Sequence, residues 1–89
     1  MTKKTASRHA VEICPEGYDP STISISAGDC ICWTNDDAVV HTVTDDPPGT
    51  VDSGGIQPGA SYERTFATAG TFPYSCKYMP MMKGTVTVS

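Results

Sequence analysis

Apolar and polar positions alternate with a period of two in short runs that Gly, Pro, Asn and Asp interrupt, and this predicts β-strands rather than helices. Residues 9–14, His-Ala-Val-Glu-Ile-Cys, give a first strand with Val11 and Ile13 inward, stopped by Pro15. Residues 21–26, Ser-Thr-Ile-Ser-Ile-Ser, alternate strictly and place Ile23 and Ile25 on the buried face. A turn at Ala27-Gly28-Asp29 leads into Cys30-Ile31-Cys32-Trp33-Thr34, where Ile31 and Trp33 point inward and Cys30 and Cys32 outward. These two segments are expected to pair as a hairpin.

After Asn35-Asp36-Asp37, the β-branched run over residues 39–44 predicts a strand with His41 on the face of Val39 and Val43, hence inward. Residues 45–60 hold seven Gly or Pro in sixteen positions, so a long connection is expected there. Further strands follow over residues 61–66, 71–76 and 84–89, the second with Phe72, Tyr74 and Cys76 on one face, the third closing with Val86 and Val88. Seven or eight short strands without an internal repeat predict an all-β, Greek-key β-sandwich.

Composition narrows this picture. Eighty-nine residues suffice for a single domain, 1–89, with residues 1–8 (Lys3, Lys4 and Arg8 among them) as a frayed, solvated tail. The apolar runs are too short to span a membrane, and a net charge of -4 with a pI near 4.8 argues against nucleic acid as a partner. No apolar stretch follows the basic N-terminal residues, so either an export segment has been removed or the protein stays inside the cell.

Four Cys, four Met and only two His bring soft-metal chemistry into consideration beside disulfides. Residues 76–82 place the Cys76 thiol and the Met79, Met81 and Met82 thioethers between two strands. Thiolate and thioether suit Cu(I), an imidazole serves either copper oxidation state, and His41 is the inward candidate to supply it. The competing readings are a satisfied core histidine for His41, an inert buried thiol for Cys76 and core filling for Met82.

The stretches Asp19-Pro20-Ser21-Thr22-Ile23, Ala27-Gly28-Asp29, Trp33-Thr34-Asn35-Asp36-Asp37, Val40-His41-Thr42-Val43, Asp52-Ser53-Gly54, Pro58-Gly59, Gly70-Thr71-Phe72-Pro73-Tyr74-Ser75-Cys76 and Lys83-Gly84-Thr85-Val86-Thr87-Val88 resemble the small blue-copper cupredoxins, the amicyanin-like members most. The resemblance implies one copper ion cycling between Cu(I) and Cu(II), with His41 and Cys76 as ligands and Met82 at the axial methionine position. Where the family's loop carries a second histidine, three residues after the cysteine, this chain has Met79. Met79 then either ligates, which we prefer, or leaves a position open, or marks a site that has lost copper.

The resemblance further implies an electron carrier rather than an enzyme, an extracytoplasmic (periplasmic) location and a monomer. A redox protein would dock weakly at Tyr78, Pro80 and Met81, with Lys77 and Lys83 adding local positive charge. It also sets the first strand beside the Cys30 strand, so that Cys14 would lie near Cys32, or less favourably Cys30, within disulfide reach. A second soft-metal site from Cys14, Cys30 and Cys32 with His9 competes with plain half-buried thiols. Two other functional readings are a Cu(I) binding or delivery module without redox cycling and an engineered exchange of the loop histidine.

Overall fold

The computed structural model describes residues 6–46 and 52–89. Among these the chain forms eight strands: β1 (Arg8–Cys14), β2 (Gly17–Asp19), β3 (Thr22–Ile25), β4 (Cys30–Asn35), β5 (Thr44–Asp45), β6 (Ser61–Thr65), β7 (Gly70–Cys76) and β8 (Met79–Val88). They make two four-stranded sheets, ordered β2-β1-β4-β6 and β3-β8-β7-β5. β1 runs parallel to β4 and β3 parallel to β8, so the chain changes sheet between β2 and β3 and again between β3 and β4. The all-β sandwich expected from the alternation is the observed architecture.

The expected inward positions fill the space between the sheets. Val11 and Ile13 come from β1, Ile31 and Trp33 from β4, Tyr74 and Cys76 from β7, and Val86 and Val88 from β8. Trp33 meets Tyr74 edge-on at 5.5 Å, and its indole N–H donates to the Tyr74 hydroxyl at 3.1 Å, so the one polar atom of the ring is satisfied inside the core. Ile23 is only partly buried, because β3 is an edge strand.

The hairpin expected between β3 and β4 does not form. The turn between them is a corner from one sheet to the other, built on the buried carboxylate of Asp29. Asp29 accepts from the Ser7 N–H at 2.9 Å and the Ser26 N–H at 3.1 Å and lies 3.0 Å from His9 Nε2. The Gly28 N–H donates to the Phe66 carbonyl and the Ala27 N–H to the Ser89 carbonyl. Gly28, at φ 96°, supplies the left-handed conformation that the corner needs. These bonds to remote segments give the turn partners that a local hairpin would not have.

Other expectations are revised. The run 39–43 is not a strand: His41 makes an isolated bridge with Ile56 and the ladder begins at Thr44. β8 starts at Met79, five residues earlier than expected, so the sulfur-rich segment is the tip of the β7–β8 hairpin, with Cys76 opposite Met79. The tail expected over 1–8 is held at its end, since the Cys30 N–H donates to the Ser7 carbonyl and Arg8 opens β1. Lys3, Lys4 and part of the 45–60 connection lie outside the described residues.

The expected cysteine pairing fails on register. β1 and β4 are indeed neighbours, but Cys32 stands opposite Ala10 and Cys30 opposite Arg8. Cys14 is four positions beyond Ala10, roughly 13 Å along the strand, too far for a disulfide. All four cysteines are free.

Candidate metal centre

Three segments converge at the end of the sandwich where β4 and β7 terminate. The first follows β4. Asn35, fully buried, donates through Nδ2 to the Val39 and Ile56 carbonyls, each at 2.8 Å, and accepts from the Asp37 N–H at 2.9 Å. One side chain thereby folds the 36–40 loop back and ties it to the 56 segment. The isolated bridge between His41 and Ile56 completes the tie and turns the imidazole into the core, where it is fully buried.

His41 uses both ring nitrogens. Nε2 lies 2.7 Å from Asp37 Oδ2, and Nδ1 lies 3.4 Å from Cys76 Sγ. A carboxylate only accepts, so Nε2 carries the proton and donates to Asp37, which in the neutral ring leaves the Nδ1 lone pair directed at the thiol. Burial works against the imidazolium, yet Asp37 and Cys76 outweigh it and raise the His41 pKa above its ordinary value. Asp37 is correspondingly held below the usual carboxylate range by its bond to His41.

Cys76 is fully buried at the end of β7. Burial pushes its thiol up, but His41 and the backbone groups of Thr42, Tyr78 and Met79 outweigh this and bring it below an ordinary thiol. Thr42 also fixes the loop: its hydroxyl accepts from the Lys77 N–H at 2.9 Å, while Tyr18 donates its hydroxyl to the Thr42 carbonyl.

The methionines divide by exposure. Met82 is buried in the core cluster with Cys76 and Tyr18, Met79 is 44% exposed across the hairpin from Cys76, and Met81 is 95% exposed. Met79, Met81 and Met82 line an open hollow of about 170 Å³ together with Pro15 and Glu16. The structure therefore brings His41 and Cys76 into direct contact, while the two other sequence candidates, Met79 and Met82, line a hollow that neither His41 nor Cys76 lines.

From the sequence, Asn35 and Asp37 served only as the break before the 39–44 run and as part of a family-like stretch, with no role at the site. The available signal was a carboxylate four residues before an inward histidine. Lys77 and Lys83, expected to leave local positive charge, are each paired at 2.7 Å, with Asp52 and Asp46 respectively. They lend the tip little net charge.

The profile of the family described as cupredoxin-like domain matches residues 2–88. The chain belongs to the cupredoxin family. This cupredoxin is 32% identical to plastocyanin of Scenedesmus fuscus over 83 residues, covering 80% of this chain and 85% of that one. Its fold is similar to a purple cupredoxin from Nitrosopumilus maritimus, with a TM-score of 0.85 and 26% identity over 91% of this chain and 99% of that chain. It is also similar to an amicyanin variant solved with Cu(I), with a TM-score of 0.86 and 26% identity over 92% of this chain and 82% of that chain.

Proposed function

We propose that this cupredoxin is a one-electron carrier that holds a single copper ion through His41 Nδ1, Cys76 Sγ and the thioethers of Met82 and Met79. The observation that carries the reading is the His41–Cys76 contact. A nitrogen and a sulfur sharing one tetrahedral ion, at bond lengths of about 2.0 and 2.3 Å, lie about 3.5 Å apart, and the two donors stand at 3.4 Å. A thiol with lowered pKa beside an imidazole whose other nitrogen is held by a carboxylate is a soft, orientationally fixed donor pair. The donors therefore fit copper.

Bound copper would supply one-electron exchange between its cuprous and cupric states. The chain's part is to hold the donors still: Asn35 fixes the loop, Asp37 fixes the ring, and β7 fixes the thiol. Met79 in place of an imidazole adds a soft donor, which favours the cuprous state and raises the reduction potential.

Docking belongs to the same end. Tyr78, Met79, Met81 and Val39 are exposed apolar side chains, and a Cβ added at Gly55 would lie 3.1 Å from Val40 and 3.8 Å from the Tyr78 hydroxyl, so the tip and the His41 loop form one surface. A small apolar surface suits a weak encounter between a monomeric carrier and a redox protein. An extracytoplasmic location is part of this reading and rests on family resemblance.

The test is addition of Cu(II) to the apo-protein. An intense thiolate-to-copper charge-transfer band that bleaches and returns with reductant and oxidant is the expected result, and Cys76→Ser abolishes it. The three sulfurs among four donors favour one second reading, a Cu(I) binding module. Immediate reduction of the added ion with tight retention, and no stable colour, would select that reading instead.

A further inference from the structure

A second group of sulfur donors lies at the opposite end of β4, on the outer face of its sheet. Cys30 and Cys32 are two positions apart on one strand, so their side chains point the same way, and both are half-buried. The neighbouring strands set charged groups beside them: Arg8 of β1 is opposite Cys30, and Glu63 of β6 is opposite Cys32. Cys30 Sγ donates to Glu63 Oε2 at 3.1 Å, and Arg8 Nε reaches the same oxygen at 3.3 Å. Strand register sets Cys32 next to these three side chains on the same outer face.

Neither His9 nor Cys14 belongs to this group. His9 is engaged with Asp29, and Cys14 is displaced along β1. The third-thiol and imidazole version of a second site is thereby excluded.

A disulfide between Cys30 and Cys32 fits poorly. Two residues along an extended strand separate their Cα atoms by about 6.6 Å, at the outer limit for such a bond, and the side chains lie parallel rather than converging. An ion bridging two sulfurs at a metal–sulfur distance of about 2.3 Å needs them about 4.6 Å apart, closer than the roughly 6.6 Å between the Cα atoms, so the two side chains would lean toward each other by rotation about χ1.

We propose that Cys30 and Cys32 form a second site, for one cuprous ion held between their two sulfurs on the outer face of β4. Both thiols lose their protons on binding, so the cuprous dithiolate carries one negative charge. Arg8 stands beside it to compensate, and Glu63, released by Cys30, keeps its ion pair with Arg8. The site needs no carboxylate ligand.

The experiment is anaerobic titration with Cu(I) against a chromophoric cuprous chelator, using the full chain. Cys76→Ser combined with Met79→Ala removes two of the four donors of the centre proposed above, leaves His41 and Met82 too weak to compete with the chelator, and is expected to retain one tightly held ion per chain. Adding Cys32→Ser to that background should weaken uptake at least hundredfold, whereas adding Cys14→Ser should change nothing. Cys30→Ala in place of Cys32→Ser repeats the test with a different outward substitution. Uptake that survives loss of Cys32 or Cys30, or that stops at one ion per two chains, overturns the proposal. The two centres fail separately, because Cys30→Ser/Cys32→Ser with Cys76 intact is expected to keep the Cu(II) charge-transfer band.

Discussion

Asp37 holds His41 in one orientation with Nδ1 towards Cys76, and the proposed role of the ring as a nitrogen donor rests on this contact. Asp37→Ala is expected to weaken copper binding about 10- to 100-fold, measured by chelator competition. Asp37→Asn, whose amide oxygen still accepts from Nε2–H, should lose less. At Met79, replacement by His restores a second imidazole and is expected to lower the reduction potential, by about 59 mV for each tenfold gain of cupric over cuprous affinity. Protein-film or solution redox titration reads the shift, and an unchanged potential would mean that Met79 does not touch the metal. Cys76 was legible in the sequence because strand parity points it inward, whereas His41, read as inward on the face of Val39, is buried through its bridge to Ile56 while Val39 is exposed. Asp37 was not legible, since a turn aspartate carries no mark of the imidazole that it will meet.

The β7–β8 hairpin is the element on which the centre hangs. Its register brings Gly84 against the face of Tyr74, and a Cβ added there would overlap the Tyr74 ring. Tyr74 cannot yield freely, because its hydroxyl accepts from Trp33 and its ring packs against Tyr18 at 4.6 Å. Gly84→Ala is therefore expected to cost about 1–3 kcal/mol, with Tm falling roughly 4–8 °C for each kcal/mol, read by thermal unfolding. On the opposite edge, Arg64 of β6 joins the sheets by pairing with Asp45 at 3.4 Å and covering the Phe66 ring at 4.4 Å. Period-two alternation marked most of these strands but not their partners. The β3–β4 hairpin was misread because adjacency in sequence favours local pairing, while the Asp29 corner obtains its hydrogen bonds from residues 7, 66 and 89.

Across the whole molecule the two poles have different tasks. One gathers donors and exposed apolar side chains, and the other closes the sandwich through Asp29. Backbone donation from Ser7, with His9 and Ser26, lowers the Asp29 pKa to about 2. A depressed carboxylate stabilises the fold above its unfolded pKa of about 3.9 and loses that contribution as pH falls through the folded value. Asp29→Asn is thus expected to unfold at lower urea concentration than the wild type at pH 7, with the difference narrowing as pH is taken from 4 towards 2. A gap independent of pH would show that the carboxylate charge contributes nothing.

The sequence by itself determined the fold class, the inward faces of most strands and the supply of soft side chains, because alternation and residue chemistry are local properties. Tertiary structure alone decided which strands pair, that Cys14 stands apart from Cys30 and Cys32, that Asp37 orients His41, and that Met82 is buried while Met79 meets solvent. Those outcomes depend on register and on hydrogen bonds between segments remote along the chain, and neither is encoded in the spacing of any one segment.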